Sequence, residues 1–260
     1  MSNRFTDDTM LDMGNIAPHG RFVHVYLNGR YWGQYHMRER WSAYMASSYY
    51  GGSKDAYEAV NANDNFRNDE EVYDGPGRFW NAAKSLVLRP DPFNEASSHI
   101  DIANIIDFML VWVSGDSESE FRSYGSSVEG VPFKYLIKDA DGYLRPASSG
   151  KAGHPGPLNI MSEMRGGLGG EDFRMLVADR IHKHFFNDGA FTPINNIRRL
   201  RVRTAEARLG FISESARWGF RSPNSWESYQ ANLMNNHFRG LTDTMVSRFK
   251  SVSYTHLRAH

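Results

Sequence analysis

The 260-residue sequence contains no cysteine. This absence excludes disulfide bonds, thiolate catalysis and cysteine-ligated zinc, and it is compatible with either an extracellular or a cytosolic protein. Lysine and arginine together number 30, as do aspartate and glutamate, so the formal net charge is zero. A neutral chain gives no general electrostatic case for binding nucleic acid or an anionic membrane, and we expect neither as a partner.

Long apolar runs are also missing. The run around Ile105 is too short to span a bilayer, so no membrane span is expected. Residues 1–12 are polar throughout and lack the apolar centre of a signal peptide. Apolar residues still make up 40% of the chain. That share predicts a folded globular protein, either one large domain or two small lobes.

The pair Asn28-Gly29 gives the strongest local signal in the chain. It separates two runs of β-branched and aromatic residues, Phe22–Leu27 and Arg30–Met37. Asn and Gly both tolerate the positive φ that a two-residue hairpin turn requires. The sequence therefore predicts a β-hairpin here.

The rest of the chain predicts strands in the first half and helices in the second. We expect helices over 43–48, 78–87, 100–113, 172–187, 193–218, 224–236 and 241–250, loops over 61–78 and 146–170, and a second hairpin that joins 133–138 to 143–145. The N-terminal segment is expected to lead directly into the first strand. This order is an α+β pattern without regular βαβ alternation.

Two acidic clusters follow apolar elements. Gly115–Glu120 comes directly after the apolar run 105–113, and Asp139–Gly142 comes directly after the strand-like segment 131–137. Carboxylates at the end of a helix and of a strand can meet across a cleft and share a metal-bound phosphate. This arrangement predicts phosphoryl transfer.

Several segments, in sequence order, resemble the CotH (spore coat protein H) kinase family. Tyr26–Tyr35 followed by Glu39-Arg40 is similar to the family segment "LNGxYxGxYxLxE". The apolar helix before Gly115-Asp116 resembles the segment that precedes the family's conserved aspartate, and Lys134–Asp141 resembles its strand followed by "WDxD". Residues 172–180 and 214–218 are similar to the C-terminal helices of large bacterial members.

The resemblance implies an atypical protein-kinase-like fold over residues 1–250, in which a truncated small β lobe precedes a mainly helical large lobe. It implies a bacterial, secreted or cell-surface protein that transfers the γ-phosphate of ATP, with magnesium, to serine or similar side chains of coat or surface proteins. The first hairpin would then be the end of the small lobe. Residues 37–40 would connect the two lobes beside the nucleotide.

The same resemblance implies roles for individual residues. Asp116 is expected to orient the acceptor hydroxyl as the catalytic base, and Asp139 to bind magnesium with help from Asp141. Met37 and Glu39 are expected to line the nucleotide pocket. Purely structural roles are open for each of these: a polar loop after the helix, a turn at Asp141-Gly142, and a surface ion pair of Glu39 with Arg38 or Arg40.

Departures from the family pattern keep other functions open. Glu118 and Glu120 stand where a polar or amide residue is typical, Lys138 replaces a tryptophan, and Arg122 can pair with either glutamate as a structural clamp. These changes favour a non-catalytic coat or surface module with the same fold. A third hypothesis, a calcium-stabilised carbohydrate-associated module, rests on the aspartates and on surface aromatics such as Trp80, Trp218 and Trp226.

The helical half contains further charged groups for which structural roles are expected. His182 and His184 are two residues apart on a helix, so they form a poor metal pair, and we expect one packed and one exposed. The arginines of 198–208, with Glu206 and Glu214 on the same helix, predict a solvated face.

Both ends of the chain are expected to depart from a complete kinase. No glycine-rich loop or strand lysine precedes the first hairpin, so the phosphate-gripping strands are expected upstream and the chain alone is expected to be inactive or weak. Residues 251–260 are expected to be an adaptor-derived tail, because Val252–His260 matches one translated frame of a common sequencing adaptor.

Overall fold

The computed structural model describes residues 1–62, 71–87, 97–115, 122–125, 131–145, 161 and 170–251. Within them, helices and strands follow one another as α1 (Ser2–Asp12), β1 (Gly20–Leu27), β2 (Arg30–Arg38), α2 (Ala43–Tyr50), β3 (Ala59–Ala62), β4 (Glu71–Asp74), α3 (Arg78–Val87), α4 (Ile102–Ser114), β5 (Arg122–Gly125), β6 (Leu136–Lys138), α5 (Gly170–Phe185), α6 (Pro193–Trp218), α7 (Pro223–Asn232) and α8 (Phe238–Ser251). The chain is therefore a mixed α and β protein. The described residues 170–251 contain helices and no strand, as the α+β pattern predicts.

The first predicted hairpin is confirmed. β1 and β2 pair antiparallel in register from Gly20 opposite Arg38 to Val25 opposite Gly33, with a bulge before the turn. Asn28 and Gly29 have φ values of +50° and +76°. Both turn residues thus occupy the left-handed region that this type of turn requires.

Helix α6 holds this hairpin by its two outer edges. The backbone N–H of Phe22 on β1 donates to Glu206 at 3.2 Å, and that of Gln34 on β2 donates to Glu214 at 2.5 Å. The two glutamates are eight residues apart and therefore share one face of the helix. The prediction of a solvated face was wrong for them, because exposed strand edges supply backbone donors that no local pattern shows.

A second antiparallel sheet has the strand order β4-β3-β5-β6. This sheet corrects two predictions. The expected loop over 61–78 contains the end of β3 and all of β4, and β6 pairs with β5 rather than with residues 143–145. Asp141-Gly142 does form a turn, as expected, but no strand follows it among the described residues. Strands of three or four residues carry little periodic signal, and their partners come from distant segments.

Helix α4 forms the centre of the larger core. Every residue from Asn104 to Ser114 is buried, which confirms the predicted central helix. Asp101 caps its start by accepting a hydrogen bond from the backbone N–H of Asn104 at 2.9 Å. An N-cap carboxylate satisfies one of the unpaired donors of the first turn and so determines where the helix begins.

The N-terminal segment is a helix, α1, and the expectation of a polar stretch leading into a strand was wrong. Phe5 is fully buried and stacks on Phe238 with ring centroids 5.5 Å apart. Two acids of α1 form ion pairs with arginines of α6. Asp8 pairs with Arg203 at 2.5 Å, and Asp12 pairs with Arg199 at 2.7 Å. These arginines are therefore not simply solvated, and the polar composition of α1 reflects its ion pairs.

The C-terminal helices agree closely with the sequence pattern. Helix α6 begins at Pro193, as the Thr192-Pro193 signal predicts. A π-helical turn over Leu233–His237 joins α7 to α8, which were expected to be separate. His184 is buried and His182 exposed, as predicted. No helix in the described part of the chain is both long and apolar enough for a bilayer crossing.

Candidate active site

The end of α4 contacts the turn that follows β6. The hydroxyls of Ser114 and Tyr143 lie 2.5 Å apart, and Gly115 packs so closely on the Tyr143 ring that an added Cβ would lie 2.5 Å from it. Burial raises the pKa of Tyr143 to about 12, so this phenol is neutral. The end of α4, which precedes Asp116, is thus in contact with the residue that follows the turn with Asp139 and Asp141. Asp116 itself, the residue after Gly115, lies outside the described residues.

Asn104 positions the strand that leads to the second acidic cluster. Its Oδ1 accepts from the backbone N–H of Tyr135 at 2.5 Å, and its Nδ2 donates to the Tyr135 carbonyl at 3.3 Å. A buried amide that pairs with both groups of one backbone residue sets the register between helix and strand. The polar interruption of the apolar run by Asn104 and Asp107 was the sequence signal for this role, and it was missed.

Asp139 and Asp141 differ in their surroundings. Asp139 is half-buried with φ at +58°, and its carboxylate has no hydrogen-bond or ion-pair partner among the described residues. Asp141 is exposed and accepts from Asn3 Nδ2 at 2.5 Å, while Asn3 Oδ1 accepts from the backbone N–H of Ala140 at 2.7 Å. Asn3 therefore fixes the turn to α1. Asp139 remains available to a ligand.

Glu39 directly follows β2 and has hydrogen-bond partners of its own. It accepts hydrogen bonds from the backbone N–H of His19 at 2.7 Å and from the Tyr49 hydroxyl at 2.9 Å. Burial acts to raise the pKa of Glu39, but these hydrogen bonds outweigh it and lower the pKa. Met37 is 51% exposed. The alternative ion pair of Glu39 with Arg38 or Arg40 is not formed in the described part of the chain.

Arg38 links the predicted connector to the strand of the second acidic cluster. One of its nitrogens donates to the Ile137 carbonyl at 2.6 Å and to Asp7 at 2.7 Å. The Arg38 side chain therefore reaches β6 at Ile137, two residues before Asp139.

The donor chemistry of this region fits magnesium. Asp139 and Asp141 offer carboxylate oxygens, the ligands that hard cations prefer. The described residues include no group of three or more His, Cys, Asp or Glu side chains able to form a complete protein cage. Magnesium commonly binds through one or two carboxylates together with substrate phosphates and water, so a complete protein cage is not required for it. Glu118 and Glu120 lie outside the described residues, as does the side chain of Arg122.

The surface aromatics invoked for a carbohydrate-associated module are mostly core residues. Trp80 and Trp226 are 1% and 7% exposed, whereas Trp218 is 50% exposed. Trp80 packs edge-on against Phe133 with ring centroids 5.0 Å apart. The premise of the carbohydrate hypothesis was therefore wrong for two of its three tryptophans.

Comparisons with known proteins identify a family for this chain. A search of curated proteins found no match. A family model described as "CotH kinase protein" matches residues 1–144, which is more than half of the chain. The match includes the hairpin, α4, β6 and the turn with Asp139 and Asp141. The likeness of residues 172–218 to family helices stays a prediction.

The family description indicates a kinase-like function. The chain belongs to the CotH kinase protein family.

Proposed function

We propose that this protein transfers the γ-phosphate of ATP to serine side chains of coat or cell-surface proteins. The single observation that carries the proposal is the contact of Ser114 and Gly115 with Tyr143. It brings the start of the first acidic cluster beside the turn of the second, although the two are far apart in sequence. Shared access to one phosphoryl group requires that proximity.

In this proposal Asp139 binds magnesium, and Asp141, held by Asn3, supplies a second oxygen. Magnesium, when bound, offsets negative charge on the transferred phosphoryl group. Asp116 orients the serine hydroxyl and accepts its proton while serine Oγ bonds to the γ-phosphorus and the bond to the ADP oxygen breaks. Met37 and Glu39 lie on the segment that would flank the nucleotide. Because the proposed acceptor lies on the cell surface, the proposal includes a location outside the cell for this protein.

Magnesium-dependent ATP binding tests this proposal directly. We expect calorimetric titration to detect binding of ATP with magnesium, and Asp139→Asn to weaken it about tenfold or more, because a carboxylate ligand is lost. Asp243→Asn removes an exposed acid on α8 and serves as the matched control.

The non-catalytic coat or surface module is the alternative that the same titration separates. Its support is Lys138 in place of the family tryptophan, together with the glutamates at 118 and 120. Absence of binding at millimolar ATP with magnesium, in a chain that unfolds cooperatively, would overturn the kinase proposal and leave this module.

A further inference from the structure

An open cavity of about 590 Å³ lies between the turn after β6 and helix α7. One wall comes from the turn and another from α7 and the residue before its cap, and the N-terminal residues Met1 and Ser2 complete the lining. The turn contributes Asp141, Leu144 and Arg145, and the α7 side contributes Arg221, Trp226, Tyr229 and Gln230. Helix α7 lies beyond the residues that the family model matches. The cavity thus combines a family segment with a wall from the C-terminal half.

Direct contacts hold the two walls together. The Tyr229 hydroxyl on α7 donates to the Leu144 carbonyl at 2.5 Å. Trp226 is buried and stacks on Phe211 with ring centroids 4.7 Å apart. The side chains of residues 226, 229 and 230 share one helical face because they are three and four residues apart. The cavity is therefore pre-formed, which lowers the entropic cost of binding.

The cavity carries two positive charges that lack acidic partners. Arg145 and Arg221 are exposed, and neither forms a salt bridge with any described residue. Arg221 lies over the Tyr229 ring, 5.4 Å from its centroid. The one acid of the lining, Asp141, is hydrogen-bonded to Asn3. Two guanidinium groups beside one acid favour an anion, and phosphate matches the bidentate geometry of arginine.

Gln230 adds a requirement that a simple anion does not meet. Its side chain is 5% exposed, and its Oε1 is buried with no hydrogen-bond partner. A buried acceptor without a donor is costly, so this oxygen favours a ligand with an N–H or O–H group. It also repels a phosphate oxygen. The ligand must therefore carry an anion for the arginines and a donor for Gln230.

We propose that this cavity binds a phosphoserine-containing segment of the acceptor protein. The phosphate pairs with Arg145 and Arg221, and a backbone N–H of the segment donates to Gln230 Oε1. The inference rests on the proposed kinase function and specifies its acceptor: a serine-rich protein segment that already carries one phosphate. Because Asp141 lines the same cavity, such a segment places neighbouring serines close to the predicted metal ligands.

The test measures peptide binding without nucleotide. A serine-rich peptide with one phosphoserine is titrated into the protein beside its unphosphorylated form, inorganic phosphate and ATP. We expect the phosphopeptide to bind at least tenfold more tightly than the unphosphorylated peptide and inorganic phosphate. Arg221→Gln should weaken phosphopeptide binding about tenfold or more, because it removes charge-assisted hydrogen bonds. Arg201→Gln, which removes an exposed arginine from α6, should leave it unchanged.

Gln230→Leu separates a role in binding from a role in folding. The variant removes a buried polar group without a partner, so we expect its Tm to equal or exceed that of the wild type while phosphopeptide binding weakens several-fold. Equal affinity for both peptides would overturn the inference. So would competition by ATP for the phosphopeptide site with equal sensitivity of both ligands to Arg221→Gln, since the cavity would then be the nucleotide site.

The two proposals fail separately. A protein that binds ATP with magnesium but does not distinguish the peptides contradicts only the acceptor site. A protein that binds the phosphopeptide but no ATP retains the cavity assignment and loses the kinase function.

Discussion

Two buried aspartates lie at different junctions of the fold, and their surroundings differ sharply. At the junction of α4, α5 and the segment that follows α1, Asp107 accepts hydrogen bonds from Arg180 Nε at 2.7 Å and Asn15 Nδ2 at 2.7 Å, with His184 Nε2 at 3.1 Å. At the junction of α1, β2 and β6, one oxygen of Asp7 accepts from Arg38 at 2.7 Å, while the other has no hydrogen-bond partner.

The difference indicates that the number of hydrogen-bond donors, and not burial alone, determines whether a buried aspartate is favoured as the anion or as the protonated acid. Burial acts to raise the pKa of Asp107, but the hydrogen bonds from His184 and Arg180 outweigh it and lower the pKa. Burial raises the pKa of Asp7 to about 7, even though Arg38 and Arg4 act in the opposite direction. One junction therefore favours the carboxylate and the other the protonated acid.

Removal of the Asp107 charge should have the largest effect. We expect Asp107→Asn to lower the free energy of unfolding at pH 7 by about 3–5 kcal/mol, because Arg180 is left without its buried partner. A folded-state pKa below the unfolded value means that this stability is present above about pH 4 and is lost as the pH falls further. Urea denaturation across pH measures it. Asp179→Asn, an exposed change on α5, is the control, and equal losses in both variants would contradict the assignment.

Asp7→Asn should have an effect of intermediate size on the free energy of unfolding, and the pH dependence that it removes has the opposite sign to that of Asp107. The folded pKa of about 7 lies above the unfolded value, so the folded state retains a proton that the unfolded state has lost between about pH 4 and 7. Wild-type stability should therefore decline across this window by about 2–4 kcal/mol relative to the variant. Parallel curves of unfolding free energy against pH for the two proteins would refute the comparison. Asp55→Asn, at an exposed acid, should follow the wild type.

Asn15→Ala should have the smallest effect and sharpens the contrast. It removes one donor from Asp107, leaves those of Arg180 and His184 in place, and also removes the oxygen that accepts from Asn104 Nδ2 at 3.0 Å. We expect the unfolding free energy to fall by about 1–3 kcal/mol, the cost of a lost hydrogen bond to a buried charge and of a second one between two amides. Asn224→Ala, at an exposed position of α7, is the control. A loss as large as that of Asp107→Asn would show that Asn15 acts mainly through packing.

Much of the secondary structure was predictable because its signals lie within a few residues. The hairpin at Asn28-Gly29 and the start of α6 at Thr192-Pro193 each depend on local backbone preferences. The short strands β3 to β5 were not predicted, since three or four residues do not establish a period, whereas β6 lies within the predicted strand 133–138 but has a different partner. Helix α1 was missed because its polar residues are paired by arginines almost two hundred residues away.

For the candidate site the sequence suggests a chemistry, which stays a prediction, but it does not indicate the geometry. Two acidic clusters after apolar elements indicated phosphoryl transfer, and Asp139 and Asp141 are described in a turn beside the end of α4. Nothing local indicated that Asn3 would hold Asp141 or that Asn104 would pair with Tyr135. Such partners are distant in sequence. A single sequence shows that a buried polar group needs a hydrogen-bond partner, but it does not show which residue that partner is.

Residue order and type were sufficient for the α+β class, the hairpin, the central helix and the family likeness, because each follows from backbone preference, periodicity or a contiguous motif. Packing determined which strand pairs with β6, which arginine neutralises each acid of α1, and why one buried aspartate is stabilised as an anion and the other as an acid. The reason is that electrostatic and hydrogen-bond energies depend on distances between groups, and folding alone brings residues 3, 107, 141 and 180 within reach of their partners.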